Sequence, residues 1–174
     1  MDTSMDMGQT DGSAPTSGRI DGWTDFAARF SAGLAMAATQ PSELCWSDPD
    51  FARWPLGERS TIEGMGQWAR AHRASRCRVL MARDVELVRR HPRWLQWRRD
   101  WSHRVSCWMA PEDLAEQVPA LWLWPGHLGL KVMDSVVGSG VWSSDRATIL
   151  AWQADFDAIS QRSTEGIACT TLGL

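Results

Sequence analysis

Residues 77–109 read CRVLMARDVELVRRHPRWLQWRRDWSHRVSCWM, and the alternation inside this stretch decides the fold class. Cys77-Arg78-Val79-Leu80-Met81-Ala82 is a short, largely apolar run of the kind that forms a buried strand. Asp84 stands at a helix N-cap position ahead of Val85, Leu87 and Val88. Pro92 either interrupts that helix or opens a new one as its first residue, and Trp94, Trp97 and Trp101 follow at three- and four-residue spacing. Val105, Cys107 and Met109 mark the next strand. Strand, helix, strand is the repeating unit of an α/β sheet.

The flanks extend the pattern. Thr24 can cap a helix in which Phe26, Phe30 and Leu34 recur at four-residue steps, and Gln40-Pro41-Ser42 ends it. Glu43-Leu44-Cys45-Trp46-Ser47 predicts a first strand, followed by the turn residues Asp48-Pro49-Asp50. Ser60-Thr61-Ile62-Glu63 has the form of a capping box, with Ile62, Met65 and Ala69 on one helical face. Downstream, Pro111 starts a short helical turn, residues 120–124 and 128–133 flank Pro125-Gly126 as a hairpin, and residues 136–142 follow. Asp145 can cap a closing helix carrying Ile149, Trp152, Phe156 and Ile159. The expected architecture is α/β, a mixed β-sheet flanked by helices. Residues 1–22 are rich in Gly, Ser, Thr, Asp and Met and nearly devoid of large apolar side chains. A disordered acidic tail is expected there, with the domain running over residues 23–174.

The chain has 174 residues, enough for one well-buried domain, and a net charge of -3 that by itself calls for no nucleic-acid or anionic-membrane partner. The charge is unevenly placed. Asp2, Asp6, Asp11, Asp21 and Asp25 face only Arg19 in the first segment, whereas residues 70–104 hold eleven arginines against Asp84, Glu86 and Asp100. Lys131 is the sole lysine, a bias that points to a GC-rich bacterial genome. The 12 tryptophans, with no tyrosine, read as core side chains. Cys45, Cys77, Cys107 and Cys169 form no CxxC pair and suit core packing. Residues 26–38 are too short to span a bilayer and lack a basic leader, so a cytoplasmic location is expected. No Walker loop, GxGxxG, HExxH or GxSxG occurs, and no cofactor is expected.

The run of residues 89–104 is the strongest local signal. Arg89, Arg90, Arg93, Arg98 and Arg99, interleaved with tryptophans, could hold the phosphates and bases of a single-stranded nucleic acid. The same spacing also fits an amphipathic helix with Trp inward and Arg outward. His91 and His103 have no Cys or carboxylate cluster near them and read as surface or capping histidines, so no metal site is expected.

Residues 120–163 resemble the second part of a phospholipase D-like half-domain. In that superfamily a strand carries His-x-Lys, then come an Asp, a Gly-Ser-x-Asn segment and a long helix with aromatic anchors. Lys131 matches the lysine, Asp134 the aspartate, and Gly138-Ser139-Gly140-Val141-Trp142 resembles the Gly-Ser segment. The upstream order of helices and strands fits over residues 23–163. The resemblance implies one half of the two-fold fold, a homodimer, and a phosphate-bearing ligand. The departures are specific: Gly129 stands where the nucleophilic histidine belongs, and Val141 replaces the asparagine. The Lys131–Asp134 spacing is also shorter than the family's. Without a positioned imidazole the superfamily's covalent phosphoryl-enzyme route is closed, which leaves a non-catalytic binding or dimerisation role. A divergent phosphodiesterase or nuclease would have to use His127, Lys131 and Asp134. On a regular strand His127 and Lys131 lie about 13 Å apart, and only a bulge at Gly129 would shorten that. Lys131 and Ser139 are the candidates for a residual anion site, against an ordinary strand-end ion pair of Lys131 with Asp134.

Overall fold

The computed structural model describes residues 14–167. Helix α1 (Trp23–Ala37) forms where Phe26, Phe30, Leu34 and Ala37 recur at helical steps, and all four are buried. Each phenylalanine so removed from water contributes about 1.5–3 kcal/mol. Strands β2 (Glu43–Asp48), β3 (Arg76–Met81) and β4 (Val105–Met109) are parallel neighbours. They are joined through α2 (Arg59–Ala71) and then through α3 (Val85–Arg90) and α4 (Pro92–Asp100). Pro92 opens α4 as its first residue, which separates the two short helices. After a 3-10 helix (Glu112–Gln117), β5 (Ala120–Trp124) pairs antiparallel with β2 on its other side. The hairpin partners β6 (Leu128–Asp134) and β7 (Ser139–Ser143) extend the sheet outward.

Two strands lie at the edges. β1 (Ser17–Ile20) pairs with β7 and β8 (Thr164–Glu165) with β4, which completes the order β1-β7-β6-β5-β2-β3-β4-β8. The fold is therefore α/β, with an eight-stranded mixed sheet flanked by helices. On one face, α1 to α4 enclose a core containing Trp46, Trp68, Trp94 and Trp122. On the other, α5 (Arg146–Ser160) packs Ile149, Phe156 and Ile159 against Cys45, Leu80, Leu121 and Leu123. Arg78 ties α5 to the sheet: its guanidinium bonds Glu43 at 2.7 Å and Asp157 at 2.8 Å and lies over the Phe156 ring.

Several local expectations change. The tail is not disordered up to residue 22, because Ser17–Ile20 is a strand with Ile20 fully buried; the pairing edge of β7 supplies what the short segment lacks. Residues 1–13 and Cys169 lie outside the described residues. Thr24 sits inside α1, whose N-cap is Gly22 at φ 95. Ser60 likewise sits inside α2, where Glu63 bonds Arg59 at 2.8 Å instead of closing a capping box. Asp145 does cap α5, accepting from the Thr148 amide at 2.9 Å. Cys45, Cys77 and Cys107 are buried in strands, and burial pushes the Cys45 thiol up to about 12. No described helix is long and apolar enough to cross a membrane.

Candidate functional site

The β5–β6 hairpin separates the residues that a phosphodiesterase would need together. A Cβ at Gly129 would lie 2.7 Å from the ring of Trp152 on α5, so the glycine is the seat of that indole. Lys131, two residues on, faces the same side, with Nζ 5.8 Å from the centre of the Trp152 ring. His127 lies in the turn and goes to the α1 side. Its ring stacks on Trp124 with centroids 4.0 Å apart, Nδ1–H donates to the Pro125 carbonyl, and Nε2 accepts from the Gln40 amide, both at 2.9 Å. The sheet thus stands between the imidazole and the amine. The irregularity in the ladder falls between Val132 and Asp134, not at Gly129. Asp134 does not pair with Lys131. Its Oδ1 accepts from the Val136 and Val137 amides at 2.9 and 3.3 Å and shapes the β6–β7 turn. Ser139 is opposite Asp134, while Lys131 is opposite Val141, an offset of two residues or about 7 Å along β7.

The arginine-rich segment divides by burial. Trp94 and Trp97 are buried in the α-helical core, so these indoles present no stacking surface. Arg98 is only 2 % exposed, and neither Nε nor Nη1 has a partner. It is withdrawn from any nucleic acid. Arg89 and Arg90 both bond Glu86, at 2.6 Å in each case. Arg104 turns inward to the carbonyls of Ala69 and His72. Arg93 and Arg99 are exposed on α4, as are Arg70 at the end of α2 and Arg73 just beyond it, and none pairs with a carboxylate among the described residues. Between α2 and α4 runs a groove walled by Arg59, Ile62, Glu63, Arg93 and Gln96.

A third site lies beyond the end of β2. The loop after β2 is tied down by Asp48, whose Oδ1 accepts from the Asp50 and Phe51 amides at 3.0 and 2.7 Å and whose Oδ2 accepts from Trp54 Nε1 at 2.9 Å. Burial nevertheless pushes the Asp48 carboxyl up. Phe51 is fully buried at φ 57, a left-handed conformation that a bulky residue keeps only when its surroundings fix it. Its carbonyl takes a hydrogen bond from His91 Nε2 at 2.9 Å. With that proton placed, Nδ1 carries the lone pair, and it has no partner. His91 is 6 % exposed, and burial lowers its pKa, holding the ring neutral. Beside it opens a cleft of about 700 Å³ lined by Trp23, Arg53, Trp54, Glu58, Arg90 and His91. The cleft sits past the carboxyl ends of parallel β2 and β3, the edge where α/β sheets place their ligands. Among the described residues no group of His, Cys, Asp and Glu could hold a metal ion.

No protein-family model matches the sequence, and no curated protein matches it. The fold does recur. It is similar to the solved structure of TrmBL2, an archaeal chromatin protein with a novel mode of DNA binding, at a TM-score of 0.62 and 10% identity. The match covers 90% of this chain but 57% of that protein, so this chain spans little more than half its length. At that identity the likeness is one of fold.

His91 stands at the cap position between α3 and α4, as a capping histidine would, but it is buried and not on the surface, and Asp48 anchors the turn that its sequence predicts. Each belongs to the cleft through contacts over long sequence distances, such as Phe51 to His91, that no local pattern encodes. The one local trace is the cluster Asp48-Pro49-Asp50 directly after a strand, which marks a constrained loop at a strand's carboxyl end.

Proposed function

We propose that this chain is a non-catalytic binding domain that holds nucleic acid on the arginine face of α2 and α4. The observation that carries the reading is the set of exposed guanidiniums of Arg70, Arg73, Arg93 and Arg99, unpaired among the described residues, on one helical layer. Phosphate contacts from arginine release counterions and supply sequence-independent affinity. Arg70 and Arg73 sit together at the C-terminal end of α2, and Arg93 and Arg99 lie six residues or about 9 Å apart along α4. Binding through backbone phosphates suits this surface better than base stacking, since Trp94 and Trp97 are turned inward. The fold shared with TrmBL2, a chromatin protein with a described mode of DNA binding, makes duplex DNA the first ligand to test.

The degenerate phospholipase D-like reading fits this proposal at Gly129, where Trp152 occupies the room an imidazole would need. A divergent phosphodiesterase is the weaker reading, because His127 and Lys131 emerge on opposite sides of the sheet. The test is fluorescence anisotropy on labelled duplex and single-stranded oligonucleotides, comparing the parent with R70Q/R73Q/R93Q/R99Q. Loss of at least about tenfold in affinity supports the reading, because these four supply the phosphate contacts. Unchanged affinity, or no binding by the parent, contradicts it.

A further inference from the structure

The point where the N-terminal segment joins the sheet and a cluster of free arginines lie along one edge. The strand register fixes this. Ser17 stands opposite Ser143, Ser143 opposite Gly129, Gly129 opposite Leu123, and Leu123 opposite Cys45. Four antiparallel pairings in succession make β1 run the same way as β2 and β3, with Ser17 level with the amino ends of both. The Thr16 carbonyl accepts from the Ser144 amide at 2.7 Å, so the chain enters the sheet at that edge. Helices α2 and α4 end at the same edge, because each leads into the start of the next strand. Their ends carry Arg70, Arg73 and Arg99, and Arg76 opens β3. All four are exposed, and none pairs with a carboxylate among the described residues. Glu43, the acid at this end of β2, is held by Arg78 at 2.7 Å.

Residues 1–13 carry Asp2, Asp6 and Asp11 and no lysine, arginine or histidine. From β1 to β3 is five strand spacings, or about 24 Å. At about 3.3 Å per residue, Asp6 reaches about 36 Å from Ser17 and Asp2 about 50 Å, whereas Asp11 reaches about 20 Å. We propose that residues 1–13 dock along this edge, with Asp2 and Asp6 against Arg70, Arg73, Arg76 and Arg99, as a tethered competitor of any polyanion that takes the same guanidiniums. Exposed ion pairs are weak between separate molecules. A tether of this length raises the effective concentration of the carboxylates to the order of millimolar, which populates the contact. The consequence for DNA rests on the nucleic-acid reading, and the contact itself does not.

Nitrogen–proton correlation spectra of the backbone amides, parent against D2N/D6N/D11N in the full chain, test the contact. At low salt the amides of residues 70–76 and of Arg99 should differ between the two, and the difference should vanish at about 0.5 M salt. Differences confined to the substituted segment and β1 overturn the proposal. Anisotropy with duplex DNA at low salt tests the competition. D2N/D6N/D11N should bind at least about threefold tighter than E112Q/E116Q/D155N, which removes the same charge from exposed sites away from this edge. Equal affinity of the two variants also overturns the proposal. Should neither the parent nor either variant bind DNA, the nucleic-acid reading falls and the spectra still decide the contact.

Discussion

At position 129 the only room for a side chain is already taken by the Trp152 ring, 2.7 Å from where a Cβ would sit. Gly129→Ala should therefore cost about 1–3 kcal/mol, as overpacking does, read as a lowered urea midpoint. Adding Trp152→Leu should recover part of the loss, because the two sites share one contact. A neutral Gly129→Ala would mean that the indole is not seated there. Arg98 is the opposite case, a charge shut away with two nitrogens unpartnered. Replacing a buried charge that lacks compensation by an apolar side chain of similar length is stabilising, so Arg98→Met should raise stability by about 1–4 kcal/mol and leave oligonucleotide affinity unchanged. A fall in Tm would show that the guanidinium is compensated. Both residues show how far sequence reading reaches. Gly129 was visible as a departure from a family pattern, but Trp152, 23 positions later, is what explains it. Arg98 was indistinguishable from Arg99 by type, and only the turn of α4 separates the buried one from the exposed one.

Among the elements, the junction of α3 and α4, where His91 sits, carries a pH dependence. The folded chain holds His91 below its ordinary value of 6.5, so below that pH the unfolded chain takes up a proton that the folded chain refuses. Stability should fall as pH drops from 7.5 to 5.5, by at most about 1.4 kcal/mol per pH unit. Asp48 acts in the opposite sense: its raised carboxyl binds a proton more readily in the folded state, a stabilisation that is fully present below 3.8 and is lost as pH rises through the raised value. His91→Gln isolates the histidine: urea denaturation of this variant should lose the slope between pH 7.5 and 5.5, and an identical slope would contradict the assignment. The elements that the sequence made legible were those with a full apolar stripe or run, α1, β3 and β5 among them. β1 escaped because its four residues contain one large apolar side chain, Ile20, and its stability comes from hydrogen bonds to β7. The capping position of α2 escaped because Ser60 and Glu63 look alike whether they start a helix or lie within its first turn.

Over the whole molecule, charge is sorted along the chain. Residues 53–104 hold thirteen of the arginines against Glu58, Glu63, Asp84, Glu86 and Asp100, while the formal total for the chain is -3. The rest of the chain is correspondingly acidic. A net charge near zero thus conceals an uneven distribution, and α2, α3 and α4 themselves carry seven arginines against Glu63, Glu86 and Asp100. Salt dependence reads that excess directly, because each phosphate neutralised on B-DNA contributes about 0.9 to the slope of log K against log salt. With Arg70, Arg73, Arg93 and Arg99 in contact, anisotropy titrations of duplex DNA from low to moderate salt should give a slope of about −3 to −4. The same titration of R70Q/R73Q/R93Q/R99Q should fall close to zero. A parent slope near zero, or one that the four substitutions leave unchanged, would contradict the account.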